Sequence, residues 1–391
     1  IESTLNKVVG MFAFALWDKK QRILTLARDR MGEKPLYYGW QGNSFLFGSE
    51  LKSFKAHPHF GNKINRQSIQ LFLKNNCIPA PFTIYSDIKK LLPGHFLQVQ
   101  YSKNSKAKDY TLTSYWSIYQ KLYEGIDSPY TGNTHSAIDK LEDLLIQSIK
   151  QQMISDVPLG AFLSGGIDST LIVSMMQSLS NKPINTYTIG FNDDVYNEAK
   201  QAKIIADHIG TDHTELYITE REALDVIPRL SFIYDEPFSD SSQIPTYLVS
   251  LLAKKSVSVS LSGDSGDELF GGYSRYTLAN KIWSIIKFFP PIISNAVVLL
   301  LSSFEPKTYD RYYNYFSRLG ILGNNINYKG DKVHKLSSII NSRSKHEFYD
   351  KFMSNWKLSE NIVKGLDNSN SGIIYNRNSE LIDISDFKTY M

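Results

Sequence analysis

From Val157 onward, apolar residues alternate between short runs of strand length and longer stretches at helical spacing. That rhythm leaves few architectures open. Val157–Leu163 reads as a short buried strand and Thr170–Leu179 as an apolar helix. Ile184–Gly190 is a second strand, Glu198–Ile209 a second helix closed by Gly210, and Asp212–Ile218 a third strand. Val257–Leu261 adds another strand, followed by the acidic stretch Ser262–Glu268. Strands joined through helices run parallel, so the expected fold is α/β with a doubly wound parallel sheet. Just upstream, Ala137, Leu141, Leu144, Leu145, Ile149 and Met153 recur at helical spacing, and past Tyr276 the chain reads as mostly helical. Its most apolar stretch, Ile285–Phe304, is broken by Lys287, Pro290, Pro291, Ser294 and Asn295. A bilayer needs ~20 unbroken apolar residues, so buried helices split at the proline pair are expected there.

The first hundred residues follow a different period. Met11–Trp17 and Arg22–Ala27 are strand-like runs joined by the polar turn Asp18–Gln21. Pro35–Gly39 and Ser44–Phe47 form a second expected hairpin, with Gly42 and Asn43 at its turn. Paired runs of this kind predict stacked antiparallel sheets. A stretch rich in Pro and Gly, Ile78–Gly94, and then a polar one, Ser102–Thr134, follow. The domain linker is placed in the polar stretch. A length of 391 residues suits roughly two or three domains at ~150 residues each.

Composition narrows the function classes. The net charge is only +4, with no basic run interleaved with aromatics, so nucleic acid is not an expected partner, and with no unbroken apolar run of spanning length neither is a membrane. One cysteine, Cys77, supports neither an internal disulfide nor a cysteine-rich metal site, and a reducing, cytoplasmic compartment is expected. Cys77 has no activating neighbour in sequence and reads as a packed thiol.

Three loops carry the chemistry. Leu163–Ser169 reads L-S-G-G-I-D-S between a buried strand and a helix. Such a corner aims main-chain N–H groups at one point, and the helix N-terminus adds partial positive charge. The glycines admit phosphate oxygens where a side chain would block them. The loop lacks the lysine of a Walker A loop and the G-x-G-x-x-G of a dinucleotide fold. The second loop, Ser260–Tyr273, crowds Asp264, Asp267 and Glu268 among glycines after a strand, where open α/β sheets bind ligands. Clustered carboxylates of this kind repel unless a cation balances them. The third, Tyr234–Pro245, is polar and acidic; binding a substrate ammonium and capping a helix through Asp240 or Ser241 are both open to it.

At these residues the sequence resembles a known family. S-G-G-I-D-S is similar to the pyrophosphate loop of the N-type ATP pyrophosphatases. Asp156–Ser169, Asp235–Phe238 and Leu261–Tyr273 together resemble the glutamine-hydrolysing asparagine synthetases. Gly10–Asp18, Ala27–Gly32, Lys34–Gly39 and Phe47–Lys52 resemble the second half of that family's glutaminase domain. The likeness runs from residue 8 to about 280. It implies residues 1–100 as part of an Ntn-type amidotransferase domain of the αββα sandwich type, a linker over 101–134, and an ATP-pyrophosphatase domain over 135–391, with both ends of the chain truncated. Tyr390 and Met391 resemble the edge of a further helical stretch.

The resemblance also implies a mechanism. ATP is the cofactor, contacted by Leu163, Ser164, Gly165, Gly166, Asp168, Ser169, Ile189, Ser262 and Gly263. Asp168 and Asp267 hold Mg²⁺. Asp264 and Glu268 are the catalytic acids, and Asp235 is a substrate contact. Aspartate is adenylated to β-aspartyl-AMP, which ammonia converts to asparagine. The partners implied are small molecules (aspartate, ATP, glutamine or ammonia) and a second copy in a homodimer. Two departures stand out. The nucleophilic cysteine that follows the initiator Met in the family is not in this sequence, so glutamine hydrolysis is not expected of this chain alone. The acidic loop commonly reads G-D-G-G-D-E, whereas here Ser265 replaces a glycine; if that position needs positive φ, serine costs on the order of 1 kcal/mol. The alternatives are a β-lactam synthetase-like or sugar-modifying amidotransferase acting on another carboxylate, and a nucleotide-binding pseudoenzyme.

Overall fold

The computed structural model describes residues 1–100, 110–191, 197–318, 329–355 and 362–366. They fall into two units, Ile1–Gly266 with Val363–Leu366, and Asp267–Ile362.

The first unit opens with helix α1 (Glu2–Leu5) and two antiparallel sheets. Strands β1 (Ala13–Asp18), β2 (Ile23–Arg28), β6 (His95–Gln100) and β7 (Thr111–Ser114) form one sheet in the order β1-β2-β6-β7. Strands β3 (Tyr37–Gln41), β4 (Ser44–Gly48) and β5 (Ile88–Lys90) form the other, in the order β4-β3-β5. The Gly42–Asn43 turn sets the β3–β4 register, with Gln41 opposite Ser44 and Tyr37 opposite Gly48. Leu26, Leu97 and Val99 from the first sheet pack on Tyr38, Leu36 and Leu91 from the second, which makes a sandwich core. Helices α2 (Leu51–Lys55) and α3 (Arg66–Asn75) join the second sheet in one core, with Leu51, Phe54, Ile69 and Phe72 from the helices and Leu46 and Ile88 from the strands.

The stretch expected to be a linker is structured where it is described. Strand β7 pairs antiparallel with β6, and helix α4 (Ile118–Asp127) follows. Residues 101–109 of that stretch, like the expected helical tail at Tyr390 and Met391, lie outside the described residues.

After helix α5 (Thr134–Gln152) the parallel sheet begins. Its strands β8 (Leu159–Phe162), β9 (Asn185–Phe191), β10 (Asp212–Ile218) and β11 (Val259–Leu261) lie in the order β10-β9-β8-β11. Helices α6 (Ile167–Ser178) and α7 (Ala199–Ile209) join the first three strands. Helices α8 (Glu220–Val226), α9 (Leu230–Tyr234) and α10 (Gln243–Ala253) lead back to β11. Ala161, Leu163, Val173, Met176, Ala202, Ala206 and Leu261 close the core between sheet and helices. The chain leaves β8 toward β9 on one side and returns as β11 on the other. The carboxyl ends of β8 and β11 therefore flank the topological switch point.

The short helix α11 (Gly266–Phe270) leads into the second unit, which is helical as expected: α12 (Ser274–Ile286), α13 (Pro291–Ser302), α14 (Pro306–Arg318), α15 (Lys329–Ile340) and α16 (Lys345–Met353). Helices α12 and α13 do break at the proline pair. They are not fully buried, however, which corrects the expectation. Val297, Val298 and Leu301 join the core around Ile339 and Phe348, while Phe288, Ile292 and Leu299 face outward. A helix apolar on every side has more such surface than one packing partner covers. Among the described residues, no helix is long and apolar enough to cross a membrane.

Candidate active site

The corner between β8 and α6 is built as the sequence requires. Leu163 is buried, and its amide donates to the Tyr187 carbonyl at 3.0 Å, which fixes where the strand ends. Gly165 then turns through φ +84°, a conformation that disfavours side chains. A Cβ there would also crowd the Ala202 amide nitrogen at 3.1 Å. Gly166 is the N-cap residue of α6 and has no side chain to cap it. The first amides of α6 lack intrahelical partners by geometry, so they are available to an anion.

The two serines lock the loop. Ser164 Oγ and Ser169 Oγ share a hydrogen bond at 3.0 Å. The Ser164 amide donates to Ser169 Oγ at 3.2 Å, and Ser169 Oγ donates to the Gly166 carbonyl at 3.2 Å. The Gly166 amide donates to Ser164 Oγ at 3.3 Å. Ile167, first in the helix, is 87% exposed, an apolar side chain left at the mouth of the loop.

The acidic loop after β11 lies directly on this corner. A Cβ on Gly263 would stand 2.7 Å from the Ser169 amide nitrogen and 2.8 Å from the Asp168 carbonyl carbon. A Cβ on Gly266 would stand 2.5 Å from Asp168 Oδ2. Glycine at both positions lets the loop after β11 close over Asp168, and this contact explains the glycines set between the acids. Ser265, between them, has φ 73°, so the position that the family fills with glycine does need the left-handed region. Ser262 Oγ donates to Asp264 Oδ2 at 2.8 Å and orients that carboxylate.

Within the second unit, Tyr273 donates its phenol to Glu268 Oε1 at 2.9 Å. That bond pushes the Tyr273 phenol up to about 12. The Gly272 amide donates to the Asp267 carbonyl at 3.0 Å, and a Cβ on Gly272 would collide with the Asp267 carboxylate.

Beside the loop lies a cavity of about 1080 Å³. Leu163, Ser164 and Ile189, all expected nucleotide contacts, line it. Gly165, Gly166, Asp168 and Ser169 form the adjoining corner, which Gly263 reaches at Asp168 and Ser169; Ser262 precedes it and bonds to Asp264. The lining also includes residues that the sequence reading did not single out: Thr188, Glu198, Thr219, Arg221, Thr246 and Val249. Thr219 and Arg221 follow the carboxyl end of β10, and that position is the signal that could have found them. Asp240 does not cap a helix through the first-turn amides. It accepts the Ser242 amide and hydroxyl at 2.8 and 2.7 Å, which hold its carboxyl below the usual range. Asp235 does not line the cavity; its Oδ2 accepts the amide of Lys52, in α2, at 3.0 Å.

No three His, Cys, Asp or Glu side chains gather in metal-holding geometry among the described residues. Mg²⁺ carried on phosphates needs only one or two carboxylates, because phosphate and water oxygens supply the rest. Asp168, in the first turn of α6, fits that limited demand.

The family described as Asparagine synthase matches residues 140–362, and that described as Glutamine amidotransferase domain matches residues 2–116. A relative from Methanocaldococcus jannaschii, provisionally named a glutamine-hydrolysing asparagine synthetase, is 40% identical over 68% of this chain and 50% of its own. Asparagine synthetase (glutamine-hydrolysing) 1 of Bacillus subtilis is 33% identical over 70% of this chain and 41% of its own. The Homo sapiens asparagine synthetase (glutamine-hydrolysing) is 27% identical over 70% and 47%. The chain thus spans about half the length, or somewhat less, of the relatives it matches. With the asparagine synthase match covering the parallel sheet, its two glycine loops and most of the second unit, the chain belongs to the asparagine synthase family.

Proposed function

We propose that this chain forms the adenylating part of an ATP-dependent amide ligase that converts aspartate to asparagine. One observation carries the reading: the S-G-G corner and the acidic loop meet at the switch point of a parallel sheet, beside a cavity of nucleotide size. In this reading the ATP pyrophosphate lies on the Ser164–Ser169 loop and the nucleoside lies against Leu163 and Ile189. An aspartate side-chain carboxylate attacks the α-phosphorus, the bond to the bridging oxygen breaks, and pyrophosphate leaves. Ammonia then attacks the acyl carbon of β-aspartyl-AMP, loses a proton and expels AMP. Asp168 would hold Mg²⁺, with Asp267 as the second ligand that the resemblance names. The ion would neutralise charge building on the leaving pyrophosphate. Asp264, oriented by Ser262, and Glu268 are the candidate catalytic acids. The glutamine amidotransferase match over residues 2–116 supports glutamine as the nitrogen source in the longer protein.

The test is aspartate-dependent pyrophosphate release by the full-length protein, with ammonia or glutamine as donor and the product identified by mass. Asparagine is the expected product. Release with a different carboxylate only would reassign the substrate, and no release with any acid would reject the ligase reading.

A further inference from the structure

The loop after α9 belongs to the parallel-sheet half, yet two of its acids, Asp235 and Glu236, bond to the antiparallel half. Asp235 ends α9 at φ 61°, which aspartate tolerates better than most residues. Its side chain is 7% exposed; Oδ2 accepts the Lys52 amide at 3.0 Å and lies 3.6 Å from Lys52 Nζ. Glu236, 9% exposed, accepts the Ile84 amide through Oε1 at 2.6 Å and pairs with Lys90 Nζ through Oε2 at 2.7 Å. Three residues on, the Ser239 amide donates to the Asn76 carbonyl at 2.8 Å. Each of these partners lies in the antiparallel half, 146 to 163 residues upstream for the Glu236 and Ser239 contacts and 183 upstream for the Asp235 contact with Lys52. The same loop then supplies Ser241 and Ser242 to the cavity wall, and the first turn of α10, which follows directly, supplies Pro245 and Thr246. A single short segment therefore touches the antiparallel half at one end and the cavity at the other.

We propose that Asp235 and Glu236 form a latch that couples occupancy of the cavity to the seating of the antiparallel half. They are positioning residues and act through Ser241 and Ser242. The inference rests on the nucleotide reading of the cavity. Buried carboxylates that accept main-chain amides and face lysines hold one geometry, because a shift strands both the charge and the amide. Filling the cavity fixes the wall and hence the latch, and by reciprocity a fixed latch tightens nucleotide binding.

Cys77, the one cysteine in the sequence, reports on the latch. It is half-buried, and Lys90 and Glu236 both act on its thiol. The experiment measures how fast iodoacetamide labels Cys77 in the 391-residue chain, with and without MgATP, alongside the ATP dissociation constant. Saturating MgATP is expected to slow labelling at least about fivefold. Glu236→Gln is expected to speed labelling, weaken ATP about fivefold or more, and shrink the protection that ATP gives. In a Lys90→Met background, Glu236→Gln should then add little. The wild-type protection measurement stands even if a variant fails to fold. ATP binding that leaves Cys77 labelling unchanged overturns the latch alone. Faster labelling in Glu236→Gln with unchanged ATP affinity shows a purely structural contact and also overturns it. A wild-type chain that binds no ATP removes the nucleotide reading, and the latch with it.

Discussion

Gly263→Ala tests the closure of the acidic loop on the S-G-G corner. The added methyl would meet the Ser169 amide nitrogen at 2.7 Å, the Asp168 carbonyl carbon at 2.8 Å and Asp168 Cβ at 2.9 Å. Two of these atoms are main chain in the first turn of α6, so no side chain can rotate out of the way. The loop and helix must separate by several tenths of an ångström. Overpacking of this kind costs about 1–3 kcal/mol. If the cost falls on the bound state, ATP affinity drops by about 5- to 150-fold. If it falls on folding, the melting temperature drops by about 2–4 °C per kcal/mol. Titration calorimetry with MgATP and a thermal melt separate the two. Gly210→Ala is the control, because Gly210 is also left-handed, at φ +82°, but a Cβ there meets nothing within 4 Å. It should lower the melting temperature and leave ATP affinity alone. A Gly263→Ala protein that melts and binds ATP like the parent would refute the proposed closure.

Asp168→Asn and Asp267→Asn should each abolish pyrophosphate release by the full-length protein while its circular dichroism stays unchanged; near-normal turnover in both would exclude them as metal ligands. Ser265→Gly should stabilise by about 1 kcal/mol and raise the melting temperature a few degrees, since it relieves φ 73° at a non-glycine residue. Tyr37 gives a pH signature. Burial first, then Glu236 and Asp235, push its phenol up to about 12 from an ordinary 10. The folded state thus holds this proton more tightly, so the contribution is full below pH 10 and fades as pH climbs through 12. Urea melts between pH 9 and 12 should show that loss, and Tyr37→Phe should reduce its slope.

Much of the architecture was legible because it depends on local pattern. The β3–β4 hairpin follows from Gly42 and Asn43, and the β8–α6 corner from S-G-G next to an apolar run. Ser265 was legible as a conditional, and its φ meets the condition. What escaped depends on distant partners. Strand β7 takes its place from β6 across residues 101–109, a separation that composition reads as linker. The cavity lining gathers Thr188, Arg221 and Thr246 from three separate elements, none of which carries a motif. Asp235 was weighed as a ligand for a substrate, but its carboxylate faces Lys52, and no local pattern announces a partner 183 residues away.

Strand β1 stands at the end of its sheet among the described residues, with Phe14, Leu16 and Trp17 more than a third exposed. Proteins usually blunt such a margin with lysine, proline or a bulge, and Ala13–Asp18 contains neither lysine nor proline. Handled by itself at high concentration, the 391-residue chain should stick to its own copies edge to edge and become turbid before it unfolds. A lysine in place of Leu16 would keep it clear without touching the cavity beside the S-G-G loop.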